Sequence, residues 1–199
     1  VQKLEIKIEL GKEVTPEVID KIKPDVLVLA SGSASYRPDI PGIDKPNVIS
    51  AIDIFLGKAK AGSKNVIAGG GMIGCEVALF LAQQKKNAIL VEMLSDVSMD
   101  AFPISGILKA KLIDNGVEIL TDTKIIGITD NGVTAIDRNQ NNINVEGDRV
   151  ILAMGLAPNT ELYEAVKNKV REVYLIGDCA EPRRVGDATR EGYLIGSTI

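Results

Sequence analysis

One stretch constrains this chain more than any other: VIAGGGMIGCEVALFLAQQKKNAILVEM, residues 66–93. An apolar run at 66–68 reads as a strand, 72–84 as a helix and 88–91 as a second strand. Between the first strand and the helix stands Gly69-x-Gly71-x-x-Gly74. Each glycine has its own mechanical task. Gly69 permits the sharp turn out of the strand. Gly71 has no Cβ, so a phosphate group can approach the backbone. Gly74 lets the helix pack closely on the sheet. The helix start offers N–H groups without intrahelical partners, at Met72 and Ile73 among others, with a partial positive charge. By itself the motif could be no more than a tight turn. Its setting, strand before, helix after and second strand next, favours a nucleotide-binding unit.

An acid closes the second strand. Glu92 follows Gly71 by about 20 residues, the spacing at which a carboxylate reaches adenosine ribose hydroxyls. A carboxylate there repels a 2′-phosphate, and Met93 and Leu94 supply no arginine to hold one, so NADH is expected over NADPH. The bland alternative is a solvated charge at a strand end. Glu76, two residues past the last glycine, is either a carboxylate favoured by the helix dipole or a group near the nicotinamide; the residues leave both open. Cys75 beside it reads as a small buried residue rather than a nucleophile, since no base accompanies it.

Four segments share one form: VLVLASG, VIAGGG, VILAMG and VYLIGD. Each is a continuous apolar run closed by small residues and glycine. Continuous apolarity implies burial on both faces, as in a parallel sheet covered by helices. Ligand crevices in such sheets lie at the carboxyl ends of the strands, where these glycines fall. Elsewhere LEIKIEL alternates as a half-buried strand. TPEVIDKI reads as a short helix with Thr15 as N-cap and Pro16 at the first helical position. Residues 102–116 read as an amphipathic helix capped by Asn115-Gly116, and Asn131-Gly132 signals a hairpin between two short strands.

Composition narrows the chemistry. The 199 residues contain no histidine, so no histidine-based triad, metal site or acid–base step is available. The two cysteines, Cys75 and Cys179, form no C-x-x-C pair, so neither zinc nor a redox disulfide is signalled and a cytoplasmic setting is expected. The net charge of −4 argues against a nucleic-acid partner. No apolar run reaches the roughly 20 residues of a membrane span. The chain opens on Val1 in an apparent strand, which suggests part of a longer protein.

The ordered segments LASGSASYRPDIPG, the glycine fingerprint, AMGLAPNTEL and VYLIGDCAEPRR resemble the FAD/NAD(P)-linked reductases similar to glutathione reductase. More closely, the chain resembles the carboxy-terminal half of the NADH oxidase-like enoate reductases, the 2-enoate and 2,4-dienoyl-CoA reductases of the old yellow enzyme class. The resemblance spans nearly the whole chain. It implies an α/β, Rossmann-like FAD/NAD(P)-binding fold with an NAD(P)H domain, 51–148, inserted in an incomplete FAD domain, 1–50 and 149–199. The ASG segment, with Gly32, matches the departure from the FAD domain, although Ser31 stands where the family usually has threonine. GLAPNT, beginning at Gly155, matches the return. Gly177-Asp178 matches the second FAD motif, whose aspartate bonds the ribityl chain, with a helix expected from about Asp187. Glu76 matches the family glutamate near the nicotinamide.

On this resemblance the chain is the NADH-binding portion of a flavin-dependent oxidoreductase. It would pass hydride to FAD on the way to an enoate, enoyl thioester or similar acceptor. The chain departs from the pattern in three ways. The amino-terminal glycine unit that holds the flavin's ADP half is absent, so FAD binding is not expected from these residues alone. The FMN barrel and iron–sulfur cluster of the enoate reductases are expected only upstream. Lys85-Lys86 stands where many relatives have glycine, a change expected to affect a turn. Two rival readings remain. One is a non-catalytic adenine-nucleotide module, a drift that trimethylamine dehydrogenase in the wider family illustrates. The other is a disulfide reductase, which would need a C-x-x-C or C-x4-C pair. Apolar edges near VLVLASG and VYLIGD are expected to drive self-association into a homo-oligomer.

Overall fold

The structure, a computed structural model, describes Leu4 and residues 6–199. These form two compact units: Ser35–Leu156, and a smaller unit made of Ala157–Ile199 with the described residues up to Ala34. The chain starts in the smaller unit with helix α1 (Pro16–Ile22) and strand β1 (Val26–Leu29). It crosses over within the short strand β2 (Ser33–Ser35). The larger unit follows as β3 (Val48–Ser50), α2 (Ala51–Phe55), β4 (Lys64–Ala68), α3 (Met72–Gln83), β5 (Asn87–Val91), α4 (Ser105–Asp114) and β6 (Glu118–Leu120). It continues with β7 (Lys124–Thr129), β8 (Gly132–Ile136), β9 (Asn142–Glu146) and β10 (Arg149–Leu152). The chain leaves within β11 (Leu156–Pro158) and completes the smaller unit with α5 (Glu161–Val166), β12 (Glu172–Leu175), a short 3-10 turn over Gly177–Cys179, and α6 (Val185–Gly196).

The larger unit is a three-layer α/β sandwich of Rossmann-like build. Its parallel sheet runs β3-β10-β4-β5-β6. Successive side chains on a strand face opposite ways, and both faces here are covered. Ile67, Leu90 and Ile151 pack against α2, α3 and α4 through Ile54, Val77, Leu81, Leu108 and Leu112. Val66, Ile89, Val150 and Leu152 pack instead on Ile125, Val133, Ala135 and Val145 of the antiparallel β7-β8-β9 meander. That double coverage is why β4, β5 and β10 read as uninterrupted apolar runs.

The units divide at 34/35 and 156/157, whereas the sequence put the borders near 50 and 149. The proline-rich segment belongs with the larger unit because Ile40 and Ile43 pack on its core, and Ile128 N–H donates to Pro41 O at 2.8 Å. The expected hairpin forms, but its turn is Asp130-Asn131, and Gly132 is already the first residue of β8, pairing with Thr129. Gly132 has φ +133°, and a Cβ there would lie 2.0 Å from Val145 O.

The smaller unit departs further from expectation. β1 and β12 form a two-stranded parallel sheet, and both were expected to be buried on two faces. Leu29 is buried, but Val28 is exposed and every residue of β12 is half-buried, because no third strand or second layer covers them among the described residues. Its core is Ile19, Leu29, Val166 and Cys179. Residues 6–10, expected as a half-buried strand, form none, and Ile6, Ile8 and Leu10 are exposed. No described strand runs beside them to supply ladder hydrogen bonds. Glu5 of that stretch lies outside the described residues. α6 begins two residues before the expected Asp187. No helix of the described residues is long and apolar enough to cross a membrane.

The turn after α3 carries the feature expected of Lys85. This residue adopts φ +60°, a left-handed conformation that costs an L-residue about 1 kcal/mol or more relative to glycine. Lys85→Gly should therefore raise the unfolding free energy of the larger unit by about 0.5 kcal/mol once the greater freedom of glycine in the unfolded chain is counted. Urea unfolding curves of the two proteins test this; a lower midpoint for the variant would contradict it.

Candidate functional site

A cavity of about 610 Å³ opens at the carboxyl ends of β4, β5 and β10. Gly69–Ile73 form one wall, Glu92 and its neighbours a second, and Ala153–Gly155 a third. The three parallel strands end in step: Gly69 N–H donates to Val91 O at 2.9 Å and Ala153 N–H donates to Ala68 O at 2.9 Å. Backbone that must leave a sheet at one level has to turn sharply. Gly69 and Gly155 both do so at φ +105°. Gly69 is also crowded, since a Cβ there would lie 2.6 Å from Ala153 O.

The glycines of the fingerprint are not equivalent. A Cβ at Gly74 would sit 1.9 Å from Gly69 O, so only glycine allows α3 to pack against the turn. Gly71 has φ −67°, a conformation open to any residue, and its nearest neighbour is a movable side-chain oxygen at 3.1 Å. The task of Gly74 is structural; the bare surface of Gly71 faces the cavity.

Glu92 is nine-tenths buried and does more than end a strand. Its Oε2 accepts from Gly70 N–H at 2.6 Å, and its Oε1 accepts from Leu94 N–H at 2.8 Å. The carboxylate thus ties the glycine turn to the segment after β5. A carboxylate has about four acceptor positions, so each oxygen can take a further hydrogen bond from the cavity side. Cys75 lies behind the turn, fully buried, with its S–H directed at Gly70 O at 3.3 Å. Burial pushes its thiol up to about 12, which keeps it protonated and inert, as its lack of a base implied.

Of the residues singled out from the sequence, Gly69, Gly71, Met72, Ile73, Glu92 and Gly155 line this one cavity, with Gly74 buried behind it. Glu76 is exposed on α3, past its first turn, and is not part of the lining. Gly32, Gly177 and Asp178 belong to the smaller unit. There Asn159 joins the two crossover motifs: Ser31 Oγ donates to Asn159 O at 2.9 Å, and Asn159 Nδ2 donates to Ser31 O at 3.1 Å. Asp178 accepts from Ser33 Oγ at 3.2 Å, and Gly177 N–H donates to Glu191 Oε2 at 2.7 Å. Among the described residues no group of three or more cysteines, aspartates and glutamates is placed to hold a metal ion.

Several lining residues went unnoticed in the sequence. Met99 is one: it faces the cavity together with Met72, already singled out, and with Met93 and Met154, so that all four methionines of the chain converge there. Their flexible, polarisable side chains suit a flat ring. Asp96 and Asp100 also line it, and Asp96 is held by Lys109 at 2.5 Å, which with the Val97 N–H keeps its carboxyl below the usual aspartate range. No spacing rule marks acids in an irregular loop.

The two kinds of glycine can be separated experimentally. Gly74→Ala should destabilise the larger unit by about 3 kcal/mol, because backbone must move. Gly71→Ala should leave its thermal melting nearly unchanged while filling the cavity wall, so that any nucleotide affinity falls roughly tenfold or more. Melting curves and nucleotide titrations of both variants check the pair.

Residues 2–192 match the family described as pyridine nucleotide-disulphide oxidoreductase. Among curated relatives, the chain is 31% identical over 98% of its length to an NADH oxidase of Thermoanaerobacter brockii, covering 31% of that protein. It is 30% identical, again over 98% of its length, to a cinnamate reductase of Clostridium sporogenes, covering 30% of that protein. Among solved structures, a 2-naphthoyl-CoA reductase in complex with 2-naphthoyl-CoA superposes with a TM-score of 0.93 at 34% identity, over all of this chain and 30% of that one. An FAD-dependent pyridine nucleotide-disulphide oxidoreductase of Desulfovibrio vulgaris superposes with a TM-score of 0.63 at 27% identity, over 87% of this chain and 53% of that one. The chain spans about a third of the length of these curated relatives. With its parallel sheet, its glycine turn and its match over nearly all residues, the chain belongs to the pyridine nucleotide-disulphide oxidoreductase family.

Proposed function

We propose that the larger unit binds NADH and that the chain is the nicotinamide-nucleotide portion of a flavin-dependent oxidoreductase. One observation carries the reading: Gly69, Gly71, Met72 and Ile73 share a cavity with Glu92 at the carboxyl ends of adjacent parallel strands. Gly71 would admit the pyrophosphate to the backbone, and the first N–H groups of α3 would hold it. Glu92, braced by two backbone hydrogen bonds, would accept from the adenosine ribose hydroxyls. A 2′-phosphate would meet Glu92 with Asp96 on the same wall, which supports NADH over NADPH. Met93 and Leu94 would offer an apolar seat for the base.

NADH held there would supply hydride to a flavin. In the smaller unit Asp178 is the residue suited to accept from a ribityl hydroxyl. The G-x-G-x-x-G pattern occurs once in the chain, in the larger unit, so the ADP half of FAD would be held by other polypeptide. Any FMN or iron–sulfur centre would likewise be supplied from elsewhere. The names of two relatives, a cinnamate reductase and a 2-naphthoyl-CoA reductase, support an unsaturated acid or its CoA thioester as the acceptor class. A second reading, an adenine-nucleotide module that transfers nothing, is favoured by the exposure of Glu76 away from the cavity.

Calorimetric titration with NADH, NADPH and ADP separates these. The first reading expects NADH to bind roughly tenfold or more tightly than NADPH and more tightly than ADP. Equal affinity for ADP and NADH would favour the module. No binding of any of the three would remove the cavity as a dinucleotide site. Glu92→Ala is a poor probe by itself, because it also strips acceptors from the buried Gly70 and Leu94 N–H groups; the NADH-to-NADPH ratio in Glu92→Gln is the more telling quantity.

A further inference from the structure

The start of α3 already holds an anion, and it is the protein's own. Asp100, in the loop after β5, turns its carboxylate onto Met72 N–H, with Oδ1 at 2.8 Å and Oδ2 at 3.1 Å. The same Oδ2 stands 3.1 Å from where a Cβ on Gly71 would be, so it lies close against that glycine at the edge of the cavity. The carboxylate is delivered by an anchored segment. Ser98 N–H donates to Gly70 O at 2.7 Å, the Ser98 hydroxyl donates to Ser105 O at 3.1 Å, and Val97 and Ser98 are both buried. Asp100 is thus held beside the glycine turn by the turn itself.

A helix N-terminus attracts negative charge, but one N–H cannot serve a carboxylate and a pyrophosphate together, and the two anions repel. We propose that Asp100 is an internal competitor for the dinucleotide's pyrophosphate: an autoinhibitory cap on the phosphate cradle that must leave Met72 N–H before the ligand can use it. The proposal rests on the dinucleotide reading of the cavity. It makes the cradle selective. A small phosphate anion brings nothing to offset the loss of the Asp100 contact. A dinucleotide also gains from Glu92 and the apolar walls, and displaces it. Binding is thereby coupled to rearrangement of residues 99–101, with Ser98 as the fixed end.

Asp100→Asn tests this, since the amide keeps the size and one accepting oxygen but removes the charge. Calorimetry should show NADH bound roughly tenfold more tightly by the variant than by the unmutated chain, and inorganic pyrophosphate bound measurably only by the variant. Unchanged or weaker NADH binding by the variant, with the unmutated chain binding NADH, would overturn the proposal and leave Asp100 as a helix cap alone. If neither protein bound NADH, the dinucleotide reading would fail and this proposal with it. A measurement on the unmutated chain guards against a variant that misfolds. On NADH addition the Met72 amide and the Asp100 carboxyl carbon should both shift in NMR spectra; NADH binding that moves neither would also overturn it.

Discussion

The carboxylate of Glu92 is the contact on which the site depends. A glycine-rich turn is the least self-supporting kind of backbone, because glycine loses more freedom on ordering than any other residue. Here the turn between β4 and α3 is fixed from outside, by one carboxylate that accepts from Gly70 on one side and Leu94 on the other. The neighbours add to it: Ser98 N–H donates to Gly70 O, and Asp122 N–H donates to Leu94 O. The glycine turn is shaped before any ligand arrives, so its ordering cost is met in folding rather than in binding.

Much of the larger unit was legible because its chemistry is local. Val66, Ile89 and Val150 face one layer while Ile67, Leu90 and Ile151 face the other, so the middle of each strand is apolar at every position. The same reading failed at β1 and β12. Their sequences are as apolar as those of β4 and β10, but burial is set by what lies alongside, and among the described residues nothing completes a sheet of two strands. The alternation at 6–10 misled for the same reason: period two states that a strand is possible, and hydrogen-bonding partners decide whether it forms.

The site was half legible. Glu92 was found by its spacing, yet its bonds to Gly70 and Leu94 were not, because a spacing rule describes what a residue does for a ligand and not for its own backbone. Asp100, Met99 and the convergence of the four methionines were invisible. They are brought together by an irregular loop and by strand ends from distant parts of the chain, and no periodicity records such meetings. Glu76, two residues past Gly74, is exposed on α3 outside the cavity lining, and nearness in sequence to a glycine turn does not say which way a helical residue faces.

The larger unit is one continuous stretch, Ser35–Leu156, and its two ends meet: Tyr36 N–H donates to Gly155 O at 3.0 Å. A unit that leaves and re-enters its host at a single point asks almost nothing of the host's geometry. It can be spliced into a loop, lengthened internally or exchanged for a cousin while the flanking strands stay in register. Portability of that kind follows from the meeting of Tyr36 and Gly155 and is independent of what the cavity holds.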